Sequence, residues 1–167
     1  MANQNVEIER KFTIKKLPAN LETYHFHIIE QGYLSVNPVV RVRRQDDDYY
    51  LTYKGGGMME RAEYNLPLTA ESYEHLKEKA DGNIISKKRY LIPCENPKFK
   101  DGFIPESSPD LTIELDIFGE PFSPLIMAEV EFPTADMANA FIMPDWFLED
   151  VTNDPAYHNS NMSRKVL

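Results

Sequence analysis

The chain has 167 residues, 42% of them hydrophobic, and a formal net charge of -9, which fits one globular domain over 1–167 and argues against an extended grip on nucleic acid phosphate. Cys94 is the only cysteine, so neither an intrachain disulfide nor a zinc ribbon is available. No apolar run approaches the roughly 20 residues that cross a bilayer, and the N-terminus lacks a basic-then-apolar leader, so the expected location is the cytoplasm with no membrane partner.

The first expected strand lies near 6–15 and contains Glu7-Ile8-Glu9-Arg10-Lys11-Phe12. Side chains in a strand alternate faces, so Glu7, Glu9 and Lys11 line up roughly 7 Å apart on one side. Further strands are predicted near 25–35, 38–45, 49–54 and 60–68 from alternation and from β-branched and aromatic content. Asp46-Asp47-Asp48 and Gly55-Gly56-Gly57 fall between them as hairpin turns. The glycine run is no phosphate loop of the Gly-x-x-x-x-Gly-Lys type, because Lys54 precedes it.

Thr69 is expected to cap a helix to about Ala80, with Tyr73, Leu76 and Ala80 on one face and Gly82 as its stop. A strand near 84–92 follows. The stretch Cys94 to Asp110, with Pro97, Pro105 and Pro109, reads as an irregular surface excursion. Strands near 111–118 and 125–133 complete the set. Thr134 opens a short helix bearing Met137 and Phe141, and Asp154-Pro155 begins a last one.

Seven of the strand segments carry charge at a common parity. One face collects Lys11, Arg41, Arg43, Lys54, Arg61, Lys87 and Arg89 against Glu7, Glu9, Glu63, Glu114, Asp116, Glu129 and Glu131. Opposite them lie Val40/Val42, Leu51/Tyr53, Ala62/Tyr64/Leu66, Leu111/Ile113/Leu115/Ile117 and Ala128/Val130/Phe132, which helices are expected to cover. An open two-layer sheet would leave the charged face in water. A closed eight-stranded antiparallel barrel, mainly β with helices outside, would turn it inward, and this arrangement accounts for both signs clustering together. Burying ions costs several kcal/mol each even when paired, so such a lumen calls for a ligand that needs both signs. A polyphosphate with divalent cations meets that need, since arginine and lysine bind phosphate oxygens and carboxylates bind hard cations.

These motifs resemble the CYTH superfamily, the triphosphate tunnel metalloenzymes. Glu7-Ile8-Glu9-Arg10-Lys11 is similar to its Glu-x-Glu-x-Lys signature, Arg41-Val42-Arg43 to its Arg-x-Arg, and Tyr53-Lys54-Gly55 to its next lysine strand. Arg61-Ala62-Glu63, Lys87-Lys88-Arg89-Tyr90, Glu114-Leu115-Asp116 and Ala128-Glu129-Val130-Glu131-Phe132 follow in order. The resemblance implies a tunnel fold, Mg²⁺ or Mn²⁺ with two ions during catalysis, and attack on a small-molecule triphosphate. Glu30-Gln31-Gly32-Tyr33-Leu34 most resembles the compact microbial branch, for which inorganic triphosphate is the expected substrate.

The alternatives are a class IV-type adenylate cyclase, a thiamine or nucleoside triphosphatase, or a non-catalytic polyphosphate-binding module; a homodimer is compatible with the sequence. The expected metal ligands are Glu7, Glu9, Glu63, Glu114, Asp116, Glu129 and Glu131, with Lys11, Arg41, Arg43, Lys54, Arg61 and Arg89 on phosphate. Lys87 with Tyr33 is the candidate for activating water, Lys87 as another phosphate ligand being the competing assignment. Asn65 stands where many relatives carry a second acid.

Overall fold

The computed structural model describes residues 5–166. Its chain runs β1 (Val6–Ile14), β2 (Phe26–Val36), β3 (Val39–Gln45), β4 (Asp48–Lys54), β5 (Glu60–Pro67), α1 (Ala70–Lys77), β6 (Asp81–Pro93), β7 (Lys98–Phe99), β8 (Thr112–Phe118), β9 (Ile126–Glu131), α2 (Ala135–Ala140), β10 (Phe141–Ile142), β11 (Phe147–Asp150) and α3 (Asn159–Met162). Each of the eight expected strands is present, and β7, β10 and β11 are short additions.

Antiparallel neighbours follow the order β1-β5-β4-β3-β2-β6-β8-β9, and β9 pairs back onto β1 from Glu9↔Glu131 to Thr13↔Met127, which closes the barrel. The first residues of β1 pair with β5 and its last with β11. Hairpins form where turn chemistry allows: Asp46 adopts φ 54 between β3 and β4, and its carboxylate accepts from the Ile28 amide at 2.8 Å. Between β4 and β5, Gly57 sits at φ +123, where a Cβ would lie 2.2 Å from the Glu60 carbonyl oxygen.

The larger apolar core lies outside the barrel wall. Phe12, Leu115, Ala128 and Val130 turn outward and meet Ala138, Phe141 and Phe147 from α2, β10 and β11. Phe12 is fully buried, its ring 4.8 Å from Phe147 and 6.2 Å from Phe141. Arg10 fastens the same layer, donating to Asp150 and to the carbonyls of Ala138 and Phe141. The second cluster is internal: inward-facing Tyr33, Val39, Ile85, Phe118 and Met127 meet Val151 and Met162, so an apolar stopper built with the C-terminal segment closes one end of the barrel.

Several expectations need correction. The first helix ends at Lys77, and Gly82 belongs to β6, where its φ of +71 lets the Ser163 carbonyl approach within 2.1 Å of a would-be Cβ. Phe141 leaves α2 to begin β10, and Asp154-Pro155 starts a 3₁₀ turn. Helical cover is also incomplete. Tyr73 of α1 is fully buried over β3 and β4, whereas Tyr53, Tyr64 and Leu66 on the outer face of β4 and β5 stay 39%, 41% and 58% exposed. An eight-residue helix shields only part of three strands. Among the described residues no helix is long and apolar enough to cross a membrane.

These two outer surfaces make opposite predictions. Phe12→Ala should cost about 3–5 kcal/mol in urea unfolding, as large aromatic truncations in cores do, while Leu66→Ala should stay within about 0.5 kcal/mol. Equal losses would contradict this assignment of core and surface.

Candidate active site

Strand alternation delivers the charged parity to the interior. Glu7, Glu9, Lys11, Arg41, Arg43, Lys54, Glu63, Arg89, Glu114, Glu129 and Glu131 line one cavity of about 200 Å³. Asp116 and Lys87 lie deeper in the wall, with side chains 1% and 0% exposed. Arg61 lines a small adjoining cavity of about 20 Å³ that shares Glu9, Lys11, Arg41 and Lys54 with this one, and its Nε donates to the Gly55 carbonyl at 3.1 Å. Past Glu114 and Glu131 the lumen opens into a vestibule of about 620 Å³ lined by Leu91, Thr112, Pro133 and residues 107–110, so the expected irregular excursion forms part of the mouth.

Most lumen cations are neutralised by carboxylates. Lys11 Nζ lies 2.8 Å from Glu129 and 3.1 Å from Glu9. Lys54 Nζ is 2.5 Å from Glu7 and 3.4 Å from Glu63. Arg89 closes Nε and Nη2 on the two oxygens of Asp116 at 2.7 and 2.8 Å and also meets Glu114 and Glu129, while Lys87 takes Asp116 Oδ2 at 2.6 Å. Burial alone would disfavour the charge on each lysine. For Lys11 and Lys54 the neighbouring carboxylates win and the pKa rises. For Lys87 burial prevails, with Arg89 adding to it against the pull of Asp116, and the pKa falls to about 8.

Among the described residues, Arg41 and Arg43 of this cavity have no carboxylate ion pair. Arg43 gives Nε and Nη2 to the amide oxygen of Gln31 at 2.8 and 2.6 Å, and Arg41 gives Nη2 to Thr52 Oγ1 at 3.2 Å while its buried Nε bonds to nothing among the described residues. Thr52 in turn donates to Asn65 Oδ1 at 2.6 Å, and Asn65 donates to Glu63 at 2.9 Å. Of the acids, Glu131 has no ion pair among the described residues. Burial, reinforced by Glu7, Glu114, Glu63 and Glu9, pushes its pKa up to about 7.

The β3 wall of the lumen therefore presents arginines without a direct ion pair, and the β9 wall across the barrel from it crowds carboxylates. The donor set suits a hard divalent cation through its chemistry: oxygen ligands, and, among the described residues, a Glu131 without an ion pair and a buried Glu63 Oε2 that meets only Lys54, at 3.4 Å. Among the described residues, no three acids stand together in coordinating geometry, because Lys11, Lys54 and Arg89 already occupy most of them.

Among the described residues no hydrogen bond joins Lys87 to Tyr33, since Lys87 Nζ goes to Asp116 Oδ2 at 2.6 Å. The Tyr33 hydroxyl instead accepts from Gln31 Nε2 at 3.3 Å. Neutral lumen residues were missed by attending only to charge: Gln31, Gln45, Tyr50 and Thr52 share the inward parity, and Asn159 reaches the cavity from α3.

A CYTH domain model matches residues 5–102. An inorganic triphosphatase of Nitrosomonas europaea is 34% identical over 163 residues, covering 96% of this chain and 98% of that protein. Another from Acetivibrio thermocellus is 34% identical over 166 residues, covering 93% and 92% of the two chains. A crystal structure of an inorganic triphosphatase superposes with a TM-score of 0.65 at 32% identity, covering 96% of this chain and 95% of the other.

Like-charge crowding at Glu131 predicts a pH-dependent penalty. Its folded pKa of about 7 exceeds the usual glutamate value of about 4.3, so its contribution to stability is greatest below that value and is lost as pH rises through 7. Glu131→Gln should therefore raise the melting temperature at pH 8 in chelator, and the gain should vanish near pH 4. In Mg²⁺ or Mn²⁺ the same change should weaken metal affinity about 10–100-fold. No gain at pH 8 would refute the crowding.

Proposed function

The chain belongs to the CYTH domain family, and we propose that it hydrolyses inorganic triphosphate to pyrophosphate and orthophosphate with the help of a divalent cation, Mg²⁺ or Mn²⁺. The observation that carries the reading is the imbalance inside the lumen: among the described residues Arg41 and Arg43 have no carboxylate ion pair, while Glu131 has no cation partner. A triphosphate would supply negative charge at the arginine wall, and metal ions would supply positive charge at the carboxylate wall across from it. The cavity is lined by polar side chains alone, which favours a phosphate chain over a base or other apolar group.

Arg41 and Arg43 are assigned to the phosphate oxygens, with Lys11, Lys54 and Arg89 able to turn from their carboxylates as the anion enters. Arg61, in the small adjoining cavity with Lys11, Arg41 and Lys54, is a further proposed phosphate contact. Glu7, Glu9, Glu63, Glu114, Glu129 and Glu131 would hold metal, two ions being the proposed number. Asp116 is reassigned, since Arg89 and Lys87 occupy both its oxygens. Bound divalent cations would offset charge on the phosphate oxygens and lower the pKa of water.

Lys87 is the proposed proton acceptor for the attacking water, because it is the lumen lysine whose pKa is lowered. Water oxygen bonds to a terminal phosphorus, the bridging P–O bond breaks, pyrophosphate leaves, and the water proton passes to Lys87 and then to solvent. Tyr33 is proposed to help orient this wall through Gln31 rather than by touching Lys87. The lone cysteine and the lack of a membrane-length helix among the described residues suit the cytoplasm, the location we propose.

A phosphate-release panel of inorganic triphosphate, ATP, thiamine triphosphate and longer polyphosphate, with each metal in turn, tests the reading. Inorganic triphosphate should be preferred, and cyclic AMP as the main product from ATP would move the protein to the cyclases. Lys87→Ala should lower kcat about 10²–10⁴-fold and remove the limb of the pH-rate profile that rises towards pH 8. A rise in KM with an unaltered profile would make Lys87 a phosphate ligand instead.

A further inference from the structure

We propose that Gln31 is the positioning residue of the arginine wall, a buried uncharged carbonyl that fixes the Arg43 guanidinium while leaving its positive charge for phosphate. The inference rests on the triphosphate reading and deepens it.

The molecule contains its own control. Arg89 and Arg43 use the same two atoms, Nε and Nη2, to close on an acceptor in the barrel wall, Asp116 at 2.7 and 2.8 Å and Gln31 Oε1 at 2.8 and 2.6 Å. Both acceptors are fully buried. Their charge differs: Asp116 neutralises Arg89, whereas Gln31 holds Arg43 and cancels nothing. The amide has one workable orientation. A guanidinium only donates, so the Gln31 oxygen must face Arg43, and the NH₂ is left to donate to the Tyr33 hydroxyl at 3.3 Å. Tyr33 thus sets Gln31, and Gln31 sets Arg43.

Arg41 is held by the same rule. Its partner is the Thr52 hydroxyl, which donates to the Asn65 oxygen. Asn65 replaces the acid that the resemblance leads one to expect, and a carboxylate there would bring a full negative charge to within two hydrogen bonds of Arg41. Two neighbouring arginines therefore stand on neutral supports in a lumen where carboxylates brace Lys11, Lys54, Lys87 and Arg89. Neutral supports keep the anion site preorganised and charged before phosphate arrives.

Gln31→Glu preserves size and hydrogen-bond reach while adding the charge. It should fold with an unchanged or higher melting temperature, and it should weaken metal-free binding of tripolyphosphate, read by calorimetry, by roughly ten-fold or more, as expected when a buried arginine gains a charge-assisted partner. KM should rise in parallel, with a smaller change in kcat. A purely structural glutamine predicts the contrary, because glutamate can accept the same fork without loss of binding.

Asn65→Asp, at an exposed position, supplies the second test if Gln31→Glu fails to fold, and should weaken tripolyphosphate binding about 3–10-fold by bringing a carboxylate close to Arg41. Binding and KM within two-fold of wild type in a folded Gln31→Glu protein, or in Asn65→Asp should the first not fold, overturn the inference. If the wild type binds tripolyphosphate but releases no phosphate, the proposed hydrolysis fails while the binding comparison still decides the role of Gln31.

Discussion

A fully buried carboxylate, Asp116, sets the terms for the rest of the lumen. An unpaired ion there would be prohibitive, and its two oxygens are met by the Arg89 fork and by Lys87. Those cations are buried in turn. Arg89 reaches Glu114 and Glu129, Glu129 is shared with Lys11, and Lys11 meets Glu9. The alternating chain crosses β6, β8, β9 and β1, so the same contacts that satisfy the ions also tie together the strands whose closure excludes water from them.

Compensation stops short at two places, and that unevenness gives the cavity its chemistry. Around Arg41 and Arg43 neutral groups stand where carboxylates stand elsewhere, and around Glu131 acids crowd without a cation. Electrostatic interactions strengthen where water is scarce, so a modest excess of each sign on opposite walls of a narrow lumen can hold an anion and its cations between them. The pKa pattern follows from the same unevenness. Lys11 and Lys54 each have two carboxylates and stay charged, whereas Lys87 shares Asp116 with a competing guanidinium and sits deeper in the wall.

The apolar parts govern access. The stopper of Tyr33, Val39, Ile85, Phe118 and Met127 under Val151 and Met162 closes one end, leaving the Glu114 and Glu131 mouth and its vestibule as the wide opening. Residues 107–110 help to wall that vestibule, so a proline-rich excursion that adds little to the barrel shapes its entrance. Outside, the aromatic layer around Phe12 and Phe147 supplies burial that a charge-filled interior cannot. This division explains why a barrel with so polar a lumen needs α2, β10 and β11 against its wall.

Strand parity by itself determined much of this protein. A period of two sends Glu7, Glu9 and Lys11 to one face and Ile8 and Phe12 to the other whatever the chain does next, and the resulting balance of signs called for closure. The expected strands and their inward charges were legible for that reason. Parity is silent about depth along the barrel. Depth depends on strand stagger, which the irregularities beside Gln31, Tyr33 and Ser35 help to set. Only the folded barrel could therefore place Arg89 on Asp116 and Lys11 on Glu129, and bring Asn159 and Met162 from the far end of the sequence to the lumen and its stopper. Those pairings join residues well separated in sequence, unlike the hairpin contact of Arg43 with Gln31, and a local pattern carries no record of which distant side chain shares its level.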